Sequence, residues 1–201
     1  MTSSVYSDGA TSVLLCGVGG QGTILAADIL AKTVCASGDV VKLSEIHGMA
    51  QRGGSVTTDV RFGKYVNSMV CCQGSCDAIL AFETTEALRN ISYLRDGGML
   101  IVNDQSIKPL PVLTGDSVMP EEPESQLRAY GGKLIPAQDI AQKTGSIKTA
   151  NVVLLGALST SLLYEQRVWE EQISASVPKG TEAMNIAAFR AGRAFVQNIH
   201  D

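Results

Sequence analysis

Two rhythms of apolar and polar positions alternate along this chain, and the switches between them mark out its elements. Residues 12–17 form a short apolar run of the kind shown by a strand buried on both faces. A glycine turn, Gly17-Val-Gly-Gly-Gln-Gly22, ends the run. Residues 23–36 then place Leu25, Ala26, Ile29, Leu30, Thr33 and Val34 at helical spacing, and Gly38 stops the helix. Residues 40–43 read as a second strand, so the chain opens as strand, turn, helix and strand, the start of a parallel βαβ unit. Residues 45–54 are polar and glycine-rich, with no apolar period. Residues 55–62 alternate as a strand, Gly63 and Lys64 supply a turn, and residues 65–70 form the partner strand of an inserted β-hairpin.

The second half is less regular. Residues 77–82 are another buried strand, residues 84–94 a helix stopped at residues 96–98, and residues 99–102 the next strand. Four of the six prolines, Pro109, Pro111, Pro120 and Pro123, fall in a loop between residues 103 and 125, followed by a short helix to Tyr130 that Gly131 and Gly132 close. Residues 134–135 are a minor strand. Residues 149–164 are helical and apolar nearly all round, the pattern of a buried central helix. A last helix at residues 181–199 carries Met184, Ala187, Ala188, Ala191 and Phe195 on one stripe. The expected fold is a three-layer α/β/α domain, residues 1–201 as one unit. Its mostly parallel sheet starts as a Rossmann-like βαβ and carries an inserted β-hairpin.

Composition narrows the function. The chain has 201 residues, 45% of them hydrophobic, only 5% aromatic and 18% charged, with a net charge of −4. An acidic balance argues against nucleic acid or an anionic membrane as partner. Charge this sparse, against about 25% in typical soluble domains, points to a surface partly covered by another subunit. Residues 1–11 lack a basic region followed by an apolar stretch, and no apolar run approaches the ~20 residues of a membrane span, so a cytoplasmic location is expected. The five cysteines are then reduced thiols, expected mostly to pack as small apolar groups. Cys71, Cys72 and Cys76 cluster but lack both the C-x₂-C pairs of zinc ribbons and the ferredoxin cysteine run, so no metal is expected in this chain.

Two segments carry candidate chemistry. Gly17, Gly19 and Gly22 have the spacing of a dinucleotide fingerprint between a strand and a helix, where backbone N–H groups at the helix start favour an anion. A tight turn that binds nothing has the same sequence. Glu45 lies near the position of a ribose-binding acid, but a glycine-rich loop and a hairpin follow it where a Rossmann sheet continues with a helix. In that loop Glu45, His47, Met49, Gln51 and Arg52 stand among glycines with no core-building residue, the mark of a site or an interface. Arg52 suits a bidentate contact with a carboxylate or phosphate, and His47 suits proton transfer near neutral pH.

With these residues in place, the chain resembles the gamma-type domain of the 2-oxoacid:ferredoxin oxidoreductases. The glycine turn with its alanine-rich helix carries the resemblance. So does residues 45–55, Glu-Ile-His-Gly-Met-Ala-Gln-Arg-Gly-Gly-Ser, which is similar to the indolepyruvate-type small subunit. The likeness continues through residues 77–82, the apolar helix around Asn151, and residues 179–185 with Phe189 and Gly192. It implies a non-catalytic small subunit that holds no cofactor alone. Its partner is expected to be a large alpha subunit with thiamine diphosphate and iron–sulfur clusters. The complex would convert a 2-oxoacid, indolepyruvate or another arylpyruvate, and coenzyme A to an acyl-CoA while reducing ferredoxin. Residue by residue, Gly17, Gly19, Gly20, Gln21 and Gly22 correspond to the family's glycine turn, a cofactor-binding or interface element. Glu45, His47, Gln51, Arg52, Gly53 and Gly54 correspond to its substrate or interface loop. Two other readings remain beside this one, a stand-alone NAD(P)-dependent oxidoreductase and an interaction module that binds no small molecule.

Overall fold

The computed structural model describes residues 9–48 and 54–199. A six-stranded mixed sheet lies between two layers of helices, with strand order β2-β3-β1-β4-β5-β6. The strands are β1 (Thr11–Val18), β2 (Val40–His47), β3 (Ser55–Gly63), β4 (Cys76–Ala81), β5 (Leu94–Asn103) and β6 (Lys133–Ile135). The pairs β1–β4, β4–β5 and β5–β6 are parallel, while β1–β3 and β2–β3 are antiparallel.

The central strands are apolar runs because both of their faces are covered. Val13 and Leu15 of β1, Ala78 and Leu80 of β4 and Ile101 of β5 enter one core. It is roofed by α1 (Thr23–Ala36), α6 (Ala150–Leu158), α7 (Gln166–Ser176) and α8 (Glu182–Asn198). The alternate residues Leu14, Cys16, Ile79, Ala81, Leu100 and Val102 enter a second core. There α2 (Thr84–Asn90) and α4 (Pro123–Ala129) supply Ala87 and Leu127. The α/β/α layering thus follows from the period-two exchange of faces along β1, β4 and β5.

Several expectations need correction. The hairpin is built from β2 and β3, not from residues 55–62 and 65–70. Both edges of β3 are taken, by β1 and β2, which leaves no ladder for residues 65–70 to join. That segment is held irregularly instead, with Arg61 Nη1 donating to Ser68 O (3.3 Å) and Val70 N to Ser68 Oγ (3.1 Å). The opening βαβ is also split, since β3 inserts between β1 and β2 and the two are not neighbours. β5 begins at Leu94 rather than at residue 99, and residues 96–98 form a bulge where the register against β4 shifts between Cys76 and Ala78.

The buried central helix is found, but it ends at Leu158. Ser159 Oγ, Thr160 Oγ1 and Ser161 Oγ each donate to the carbonyl three residues back, and these bonds turn the chain into a 3₁₀ segment. The buried stripe of α8 is Asn185, Ala188, Phe189, Gly192 and Val196, one position round from the expected stripe. Three further helices, α3 (Leu110–Leu113), α5 (Ala137–Thr144) and α7, have no counterpart in the sequence reading. In α7 only Trp169 and Ile173 are buried, too few apolar positions to show a period.

Candidate functional site

The glycine turn lies where β1 and β4 end side by side and their chains leave to opposite faces of the sheet, β1 into α1 and β4 into α2. Clefts of this kind are where open α/β sheets bind ligands. Gln21 pins the turn to both strands, because its Oε1 accepts from Val18 N (2.8 Å) and its Nε2 donates to Phe82 O (3.1 Å).

The glycines have distinct duties. A Cβ on Gly17 would stand 2.7 Å from Gln21 Oε1 and 2.8 Å from Phe82 Cβ, so Gly17 permits close packing. Gly22 has φ 81° and would press a Cβ to 2.5 Å from Asn151 Nδ2, which itself donates to Gly22 O (3.3 Å). Gly20 has φ 100°, and no described residue stands within 4 Å of the place its Cβ would take. Sequence spacing alone did not separate these roles.

Gly22 leads into α1, which has no side-chain cap among the described residues and no acidic residue in its first turn. The residues that open the helix, Gly22 to Leu25, line an open cavity of about 910 Å³, so the positive end of the helix dipole borders it. Gly19, Gly20, Gly22 and Thr23 line the cavity together with His47 and Gly48 at the end of β2. Ile24, Leu25 and Val56 add apolar lining. Asp28 also reaches this cavity, with its charge paired to Lys32 Nζ at 2.7 Å. Glu45 stands behind His47, its Oε2 3.4 Å from Nε2.

The structure brings together the two segments that the sequence picked out separately. Gly19 N donates to Gly54 O (3.0 Å), and Gly48 N donates to Ser55 O (2.8 Å). The two ends of the 45–54 loop are thus fastened beside the glycine turn. Gln51, Arg52 and Gly53 lie outside the described residues. The strand order also bears on Glu45. In a Rossmann sheet the ribose-binding acid ends the strand adjacent to β1, but here β3 takes that place and Glu45 is on the strand beyond.

A buried acidic pair at the start of α2 escaped the sequence reading. Glu83 caps the helix, accepting from the backbone N–H groups of Thr85 (2.9 Å) and Glu86. Glu86, 3% exposed, accepts from Ser55 Oγ at 2.5 Å and pairs with Arg89 Nη1 at 2.9 Å. Burial pushes the Glu86 carboxyl above its ordinary value, helped by Glu83 and opposed by Ser55 and Arg89. The signal was available, because Glu83 and Glu86 have the spacing of a helix-capping pair directly after an apolar strand.

Comparisons with known proteins agree with this architecture. The family model for pyruvate ferredoxin/flavodoxin oxidoreductase matches residues 12–195. Indolepyruvate oxidoreductase subunit IorB of Thermococcus kodakarensis is 40% identical over 189 residues, covering 90% of this chain and 93% of that protein. A 2-oxoglutarate synthase subunit KorC from Methanothermobacter thermautotrophicus is 32% identical over 92% of this chain and 94% of its own length. In structure, the gamma subunit of a keto/oxoacid ferredoxin oxidoreductase from Geobacter sulfurreducens superposes with a TM-score of 0.70 at 24% identity. That match covers 94% of this chain and 99% of the other. The 2-oxoglutarate:ferredoxin oxidoreductase of Magnetococcus marinus gives the same TM-score at 22% identity, over 94% of this chain but 31% of that longer one. With the family model spanning nearly the whole fold and IorB proteins this similar, the chain belongs to the pyruvate ferredoxin/flavodoxin oxidoreductase family, as a small, gamma-type subunit of a 2-oxoacid:ferredoxin oxidoreductase.

Proposed function

We propose that this chain serves an indolepyruvate-type enzyme by receiving an anionic group of an aryl 2-oxoacid or of coenzyme A at the start of α1. A large partner subunit would hold thiamine diphosphate and the iron–sulfur clusters and hand electrons to ferredoxin. The observation that carries the reading is the uncapped start of α1, which borders a cavity that His47 also lines. Helix N–H groups and the macrodipole favour an anion there. The loop fastened at Gly48 and Gly54 bears Gln51 and Arg52, the donors we assign to the same anion. Ile24, Leu25 and Val56 give the cavity the apolar surface that an aryl group needs.

The partner surface we assign is the β2 edge with the segment packed on it through Lys42 Nζ and Asn67 O (3.2 Å). Ile46, Tyr65, Met69 and Val70 are exposed there, with Tyr65 78% exposed. Exposed apolar side chains gathered on one edge suit a subunit contact.

The test is co-expression with the large subunit, measuring assembly and indolepyruvate-dependent ferredoxin reduction. Arg52→Ala and His47→Ala are expected to leave assembly intact and to raise KM for indolepyruvate or coenzyme A by about tenfold or more. If both variants turn over like the parent complex, the loop has no role in binding. If they weaken assembly while turnover per assembled complex is unchanged, the segment is an interface only.

A further inference from the structure

Away from the glycine turn, three potential metal-ligating side chains meet in the second core. Asp59 of β3, Cys71 and Cys76 are all buried, and their ligating atoms lie within 4.8 Å of one another. No other group of three or more such residues occurs among the described residues. The Cys71 side chain and backbone N–H both hydrogen-bond the Asp59 carboxylate, and Cys71 also contacts the Cys76 thiol. Among the described residues Asp59 Oδ1 has no hydrogen-bond partner, although Asp59 is only 6% exposed. A buried carboxylate oxygen without a partner is costly unless something compensates it.

The local backbone holds the two cysteines in a ligand-like arrangement. Ser75 N donates to Cys72 O (3.2 Å) across a turn whose third residue, Gly74, has φ 68°. This is the geometry of a type II turn, and it folds Cys71 and Cys76 back towards each other. Gly74 N also donates to Ser92 O (2.8 Å), which fastens the turn to the chain before β5. Four residues separate the cysteines, inside the range of two to four that typical zinc-binding pairs use. Asp59 then approaches from β3, on the far side of β1, as a third ligand.

We propose that Asp59, Cys71 and Cys76 bind one thiophilic divalent cation of the zinc class, with a water in the fourth position. Two thiolates select a soft or borderline metal over magnesium or calcium. The charges also balance: the dication and the buried guanidinium of Arg61, which acts on Asp59, offset two thiolates and a carboxylate. In a tetrahedral zinc site the sulfur atoms stand roughly 3.8 Å apart, so the present cluster needs at most about 1 Å of closure. Such a site ties β3 to the turn that enters β4. It is independent of the reading of the α1 cavity.

The experiment uses the full chain, tag-free, prepared under reductant and stripped of metal. Zinc is titrated against a chromophoric chelator, and cobalt(II) replaces zinc for spectroscopy. The expected result is one equivalent bound and a thiolate-to-cobalt charge-transfer band in the near ultraviolet. Cys71→Ser or Cys76→Ser is expected to weaken zinc binding by about 100-fold and Asp59→Asn by about 10-fold, while His47→Ala leaves it unchanged. The proposal is overturned if the parent chain takes up no zinc, if uptake survives Cys71→Ser with Cys76→Ser, or if anaerobically prepared protein holds a Cys71–Cys76 disulfide. Should the cysteine variants fail to fold, the cobalt spectrum of the parent chain decides, since without thiolate ligands that band is absent.

Discussion

Gly19 donates its backbone N–H to the carbonyl of Gly54 across 3.0 Å, joining two glycines that stand 35 positions apart in the chain. The bond lies where β1 ends beside the start of β3, in line with the Val18–Ser55 pair that closes their antiparallel ladder. The glycine turn and the two ends of the loop, Gly48 and Gly54, are therefore held together at the margin of the sheet. Ser55 extends the connection to the buried Glu86, which ties the loop end to α2 on the far side of the sheet.

Substitutions in the turn should separate backbone strain from crowding. Gly20→Ala and Gly22→Ala both force a side chain into positive φ, at 100° and 81°, but among the described residues only the Cβ at Gly22 would meet another residue, Asn151. Gly22→Ala is therefore expected to lose about 1–2 kcal/mol more stability than Gly20→Ala. Urea unfolding of the two variants measures the difference, and equal losses would mean that Asn151 yields without cost.

The crossing of α6 and α8 makes a stronger demand. A Cβ on Gly192 would stand 1.9 Å from Val153 O, and one on Gly156 would stand 2.1 Å from Phe189 O. Alanine gains up to about 1 kcal/mol of helix propensity over glycine, but a backbone clash this close forces the helices apart. Each Gly→Ala change is expected to destabilise by about 3 kcal/mol or more, read as a lowered Tm or as loss of soluble protein. A neutral outcome at either position would show that the helices can separate freely.

The parts of this fold legible in the sequence were those with a single strong period. Residues 12–17 and 77–82 are apolar on both faces, and helix α1 carries a full stripe, so each showed itself. Topology was hidden, because β3 alternates equally well whether its partner is β2 or residues 65–70, and only the occupied edges decide. The displaced stripe of α8 has a similar cause. Gly192 and Asn185 are buried for close approach and hydrogen bonding, which hydrophobicity does not score. At the site, the glycines and His47 stood out as residue types. The Glu83–Glu86 pair could be placed at a helix start by its spacing, but its burial could not be read, since buried acids there look like solvated ones in sequence.

The strand order predicts a negative result with nucleotide. β3 stands where a Rossmann fold has its ribose-binding strand, and Glu45 is a further strand away, roughly 10 Å from β1. Titration of the chain with NADH or NADPH, followed by nucleotide fluorescence, should stay flat through the micromolar range. Saturable micromolar binding would restore a dehydrogenase reading of the glycine turn.

Glu86 gives stability a particular pH dependence. Its carboxyl is raised above the ordinary value of 4.5, chiefly by burial, so the folded chain holds this proton more tightly than the unfolded one. Its contribution to stability is then fully present below the ordinary value and is lost as pH rises through the raised one. Glu86→Gln removes the titrating group while keeping an acceptor for Ser55 Oγ. The variant should therefore gain on the parent as pH rises from about 4.5 to neutrality, and the two should converge towards acid. Urea midpoints measured across that range test the sign. A variant that instead loses ground with rising pH would mean that Arg89 and Ser55 outweigh burial at this carboxylate.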